Sequence, residues 1–340
     1  MKVWQAIGAA RQWVEREGVR LPGFCGAYLA GSCVEKAPES ELPPSSDLDV
    51  MVILNGPVPE KPGKFQYQGV LLEVSVIGRE AFDSLEHVLS THYLAYALHV
   101  HSILSDPEGW LSPLQEEAAL HYAEPRWVKA RSSAIAASIR RDLADPMEGK
   151  PFYLKLNSLN FSAGKLTHIL LAAALQNCTV RLRYPAARQA LAAYGMDWVM
   201  AWLKPCQCAR QPSQAQLLSA LNDLSETFSL ACRAQKSRFF FSSDISPEAR
   251  PIAIDGSREL ILGPHPSDAV FWMTATFSRC HQILEADAPS LNRERLPALL
   301  RFAQSLGAGD EREIAARKDA VSDLVPKVEK AALEIISRRA

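Results

Sequence analysis

At two places in this chain acids stand inside runs of β-forming apolar residues, and that placement restricts what the chain can fold into. One is Asp47-Leu48-Asp49, leading into Val50-Met51-Val52-Ile53-Leu54; the other is Glu73 within Val70-Leu71-Leu72-Glu73-Val74-Ser75-Val76-Ile77. A carboxylate among such neighbours is costly unless something compensates it. Side chains alternate along a strand, so Leu48, Val50, Val52 and Leu54 make one apolar face while Asp47 and Asp49 project from the other, about 6.5–7 Å apart. Val70, Leu72, Val74 and Val76 repeat the device, with Glu73 pointing outward between Leu71 and Ser75. A short strand, Phe24 to Ala30, runs into the small turn Gly31-Ser32. If these strands are neighbours, three acids converge on one patch beside a glycine turn.

Acids gathered in this way repel one another, and one retains its proton unless a cation is present. Magnesium relieves the conflict, because it is hard, takes carboxylate oxygens and fills its remaining positions with water and phosphate. Two such ions can clamp the attacking and leaving oxygens of a displacement at phosphorus. Gly31 lets the backbone approach phosphates closely, and Ser32 offers a hydroxyl and an N–H. The pattern points to phosphoryl or nucleotidyl transfer.

Gly31-Ser32, then Asp47-Leu48-Asp49, then Glu73 in a later strand together resemble the nucleotidyltransferase superfamily related to DNA polymerase β. The likeness is strongest to its small-molecule branch, which includes antibiotic adenylyltransferases, and it covers roughly the first third of the chain. It implies that Gly31 and Ser32 bind the nucleoside triphosphate and that Asp47 and Asp49 hold magnesium. Glu73 is then a metal ligand or the general base. The segment from Cys33 to Ser46, with Pro38, Pro43 and Pro44, is longer than the usual gap in that family.

Composition excludes some classes of function. Lys+Arg 37 against Asp+Glu 38 leaves a formal net charge of −1, unlike the basic balance of a dedicated nucleic-acid binder. No apolar run approaches the ~18–20 residues of a membrane span. Met1 to Arg20 reads as an amphipathic helix rather than a signal peptide, so a cytoplasmic protein is expected. The seven cysteines lack metal spacing and read as free thiols, several of them buried.

An α+β fold is expected: a small mixed β-sheet nucleotidyltransferase domain over residues 1–120, followed by an α-helical bundle over 121–340. In the first part a helix from Val3 to Arg16 precedes the strands, Arg79 to Leu98 reads as helical, and His99 to Leu104 as another strand. The second part reads as helices over Pro125–Leu143, Phe152–Gln176, Ala186–Leu203, Ser213–Ala234, Ser267–Leu284, Arg293–Ser305 and Glu311–Arg338, the last broken or kinked near Pro326. Ile252 to Leu262, with Asp255-Gly256 at its centre, reads as a hairpin.

The helical part is expected to complete the site. Arg126, Lys129, Lys165, Arg181 and Arg183 are candidate phosphate contacts, with Lys165 foremost because it follows Ser162-Ala163-Gly164 in an apolar helix. His92, His99 and His101 read as core or rim histidines, and Trp127, Trp198, Trp202 and Trp272 as bundle core. The expected reaction is magnesium-dependent transfer of AMP from ATP to a hydroxyl of a small molecule, releasing pyrophosphate, with two Mg2+ ions and no nucleic-acid or membrane partner. Two alternatives are adenylylation of a protein and a non-catalytic nucleotide-binding protein.

Overall fold

The alternation of apolar residues around the acids is realised as a sheet. In the computed structural model, which describes residues 1–339, the chain opens with α1 (Val3–Arg16), β1 (Phe24–Ala30), β2 (Leu48–Leu54), β3 (Gly63–Tyr67) and β4 (Val70–Gly78). Two short helices follow, α2 (Leu85–Ser90) and α3 (His92–Leu98), and then β5 (Ile103–Ser105). The strand order is β3-β4-β2-β1-β5, and the sheet is mixed: β2 and β4 are parallel, the other pairs antiparallel. Leu48, Val50, Val52 and Leu54 pack with Leu72 and Val74 against Ala6, Ala10 and Val14 of α1, as their period of two requires. On the other face Tyr28 and Ile53 are covered by Val88, Leu94 and Leu98 of α2 and α3. That cover stops short of the acid-bearing ends of β2 and β4.

Everything beyond β5 is helical: α4 (Leu111–His121), α5 (Pro125–Ala144), α6 (Phe152–Ala173), α7 (Arg183–Ala193), α8 (Val199–Gln207), α9 (Gln214–Ala234), α10 (Gly256–Leu262), α11 (Val270–Asp287), α12 (Pro289–Ser305) and α13 (Glu311–Arg339). The long α6 is apolar nearly all round and lies at the centre, as such a helix must. One core gathers α5, α6, α8 and α13 around Leu166, Ile169 and Val325; another gathers α9, α11 and α12 around Phe228, Phe277 and Phe302. No helix among the described residues is long and apolar enough to cross a membrane.

Several sequence expectations are corrected. Ile252 to Leu262 is not a hairpin but a π-helical turn, Pro251–Asp255, running into α10. A type I′ hairpin turn needs φ > 0 at its centre, whereas Gly256 sits at φ −64°. His99 to Leu104 is not one strand: His99 caps α3 in helical conformation and only Ile103–Ser105 pairs with β1. The Arg79–Leu98 helix is divided, because Thr91 adopts an extended conformation (φ −95°, ψ 111°) between α2 and α3. Ala186–Leu203 is two helices separated at Gly195, whose φ is +63°. No break occurs at Pro326, and α13 is one helix from end to end. The strand β3 and the helix α4 were not anticipated.

Candidate active site

The two acid-bearing strands are in register. In the parallel β2–β4 pair Asp49 lies directly beside Glu73, and Asp47 immediately precedes β2. Direct neighbours in a sheet present their side chains to one face, so strand pairing alone brings Asp49 and Glu73 together. Carboxylate oxygens of Asp47, Asp49 and Glu73 lie within 4.8 Å of one another. Ala30, the last residue of β1, pairs with Asp49, and the chain then turns through a single 3-10 turn, Gly31–Cys33. Gly31 has φ +66°, and a Cβ placed there would stand 1.8 Å from Asp49 Oδ2. Only glycine permits this approach of turn to acid, by conformation and by space. The proline-bearing segment before Asp47 is fastened to the start of α1 through Val3 N–H to Ser40 O, 2.9 Å, and Leu42 N–H to Met1 O, 2.9 Å.

A cation not foreseen from the sequence stands among the acids. Lys64 on β3 faces Glu73 across the antiparallel β3–β4 ladder. Its ammonium bonds Glu73 and lies 2.9 Å from Asp47 and 3.0 Å from Asp244. Lys61 adds a second ion pair to Glu73, at 2.8 Å. Asp244 ends a 3-10 turn, Ser242–Asp244, and its other oxygen lies 3.0 Å from Arg279 on α11. The result is a line of alternating charge, Glu73–Lys64–Asp244–Arg279, from the sheet to the helices. The signal for Lys64 was the alternation of Gly63-Lys64-Phe65-Gln66-Tyr67, which places the lysine on the face of the acids.

These neighbours divide the acids electrostatically. Burial pushes the Glu73 carboxyl up, but Lys64 and Lys61 outweigh it and hold it down at about 2. Asp47 is raised, chiefly by burial, with Lys64 pulling the other way. Asp49 makes no ion pair among the described residues, and burial with the adjacent Asp47 and Glu73 carboxylates raises it well above the usual range. One carboxylate therefore lacks a compensating charge in a site of hard oxygen donors. That donor set and the uncompensated Asp49 fit a divalent ion such as magnesium.

The acids form one wall of a cavity of about 380 Å³ lined also by Gly31, Ser32, Ser45, Ser46 and Lys64, within the usual size range of small-molecule sites. Further lining of this cavity comes from the helical part: the irregular segment Asn177–Leu182 between α6 and α7, with Ile252 and Trp272. Arg181 lines it and donates to Ser45 O at 2.9 Å; no carboxylate of the described residues forms an ion pair with it. Tyr28 and Trp272 line the same cavity, and the Tyr28 hydroxyl and the Trp272 indole N–H are buried without a hydrogen-bond partner among the described residues. Trp272 is thus both bundle core, as expected, and cavity wall. His92 and Cys178 also line it. Burial lowers His92 to about 4 and pushes the Cys178 thiol up to about 12.

The other expected phosphate contacts lie elsewhere. Lys165 is not in the cavity; it pairs with Asp142 of α5 at 2.6 Å. Its position after Ser162-Ala163-Gly164 faces it toward the neighbouring helix, a use of lysine common on apolar surface. Arg126 pairs with Glu124 at 2.7 Å and Lys129 is exposed. Arg183 is fully buried, 3.5 Å over the ring of Phe271. His99 lies 2.8 Å from Glu35, and all seven cysteines are free. A scan against protein-family models returns no match, and a comparison with curated proteins returns none at a significant level.

Proposed function

We propose that this chain is a magnesium-dependent nucleotidyltransferase that transfers AMP from ATP to a hydroxyl of a small molecule. The observation that carries the reading is the Asp47–Asp49–Glu73 cluster beside a turn that only glycine can make. Asp47 and Asp49, with Glu73, would hold the divalent ions, which supply charge neutralisation of the triphosphate and polarisation of the reacting phosphoryl oxygens. Gly31 and Ser32 would present backbone N–H groups and a hydroxyl to the phosphates. Arg181, which lines the same cavity and has no ion-pair partner among the described residues, would receive phosphate charge. The acceptor oxygen attacks the α-phosphorus, the bond from that phosphorus to the bridging oxygen breaks, and pyrophosphate leaves. With its carboxyl at about 2, Glu73 is a weak base at neutral pH. It is therefore assigned a holding role, and the hydroxyl proton passes to solvent.

The test is incubation of the full chain with labelled ATP, Mg2+ and a panel of aminoglycosides and lincosamides, beside Asp47→Asn. Label on a drug and free pyrophosphate are expected from the wild type, with at least a hundredfold less from the variant. Equal transfer by both proteins would refute the assignment, and label on a polypeptide band alone would redirect it to protein adenylylation. One observation favours a second, non-catalytic reading: Lys64 already sits between two of the three acids. Magnesium-dependent ATP binding without pyrophosphate release from any acceptor would select it.

A further inference from the structure

A second group of potential ligands borders the same cavity and is chemically unlike the acids. One ring nitrogen each of His92 and His168 and the sulfur of Cys178 lie within 4.8 Å of one another. They come from three places in the chain: the first residue of α3, the interior of α6, and the segment that follows α6. Near-neighbour spacing in sequence did not assemble them, since His92 is far from the other two; the fold did, by setting the first residue of α3 beside His168 of α6. The two imidazoles are tilted at 48° with centroids 6.0 Å apart. His168 Nε2 is 3.0 Å from Thr179 O, the residue after Cys178, so the segment that carries the sulfur also fixes the second ring.

We infer that His92, His168 and Cys178 form a binding site for a zinc-class divalent cation, separate from the carboxylate cluster. Nitrogen and sulfur donors select zinc and its congeners, whereas magnesium takes oxygen. Zinc–nitrogen and zinc–sulfur bonds of about 2.0–2.3 Å in a tetrahedral site place donors roughly 3.3–3.8 Å apart. The present donors lie within 4.8 Å of one another, and binding would draw them together to that spacing. The hydrogen bond from His168 to a backbone carbonyl is the outer contact that orients a metal-binding imidazole. His92 and Cys178 both line the cavity, so the fourth position opens toward it, as in sites with three protein ligands and a water. On binding, the Cys178 thiol gives its proton to solvent and the thiolate sulfur takes its place on the cation. Arg183 and Lys165 add positive potential near His168, which opposes a cation; the thiolate, the one anion among the three donors, offsets it, so its loss weakens binding most.

This inference does not rest on the transferase reading, and the experiment separates the two. Metal-stripped full-length protein is titrated with Co2+ and followed by absorption, and Zn2+ is then added. The thiolate-to-cobalt charge-transfer absorption in the near ultraviolet and the four-coordinate visible bands are expected to saturate at one Co2+ per chain and to be bleached by Zn2+, since Co2+ on carboxylate oxygens gives no charge-transfer band. Asp47→Asn retains these bands. Cys178→Ser loses the charge-transfer band, and His92→Gln, which spares every cysteine, weakens Co2+ binding by about tenfold or more. Folding of each variant is checked by circular dichroism, and His92→Gln decides the matter if Cys178→Ser does not fold. Absence of a thiolate band in folded wild type, its persistence in folded Cys178→Ser, or unchanged affinity in folded His92→Gln would overturn the proposal.

Discussion

Asp49 and Lys64 set the energetics of the acid cluster in opposite senses. Asp49 is raised by burial and by two neighbouring carboxylates, so the folded chain holds its proton more tightly than the unfolded chain does. A carboxyl raised in the folded state lowers stability above its folded pKa, and the loss fades as pH falls toward its ordinary value of 3.8. Asp49→Asn is therefore expected to melt higher than wild type at pH 7.5 without metal, the gain shrinking toward pH 4; Mg2+ reverses the order by stabilising wild type alone. Thermal unfolding at both pH values checks this, and a lower melting temperature for the variant at pH 7.5 would contradict it. Lys64 is the opposite case, an ammonium 4% exposed among three carboxylates. Lys64→Met leaves those charges without their cation and should cost about 3–5 kcal/mol in denaturant titration. Added Mg2+ should return part of that loss.

At the scale of elements, the site depends on two junctions: β1 into its turn, and β2 against β4. Gly31→Ala puts a methyl where Asp49 Oδ2 lies and forces φ +66° on an alanine. Backbone strain of about 1–3 kcal/mol is expected, and displacement of Asp49 should lower transfer by roughly a hundredfold, measured as pyrophosphate release. A variant with full activity would show that the turn does not position the acid. The strands β2 and β4 were legible in the sequence because apolar runs rich in β-branched residues, apolar at every second position, favour the extended conformation. The strand β3 was not, since its alternation spans only five residues and opens on a glycine, and Lys64 went unseen with it. The supposed hairpin at Ile252–Leu262 shows the converse: Asp-Gly marks a turn only when its glycine takes a positive φ, and here the flanking residues pack as helix. Strand spacing could place Glu73 beside Asp49, but no local pattern could bring Asp244 and Arg279 to Lys64 from the helical part.

At the scale of the molecule, the proposed site lies where the sheet meets the helices. The sheet part supplies the acids, the glycine turn and Tyr28; the helical part supplies Arg181 and Trp272. The acids of that cavity were readable from the chain because they stand in or beside neighbouring strands. The helical side was not, because the segment 177–182 has no periodic structure and is aimed only by the end of α6. Lys165 illustrates the limit, a lysine in an apolar helix that turns out to face α5 rather than the cavity. The alternating charges Glu73–Lys64–Asp244–Arg279 link the two parts beside the site. Arg279→Met, removing its last member, is expected to leave Mg2+ binding within about threefold of wild type while lowering stability by about 1–3 kcal/mol. The most direct single measurement is calorimetric titration of ATP into the full chain with and without Mg2+, repeated with Asp47→Asn. Binding is expected to require Mg2+ and to weaken by about tenfold or more in the variant. ATP binding that is indifferent to both Mg2+ and Asp47, or absent from the wild type altogether, would contradict a carboxylate-held nucleotide at this cavity.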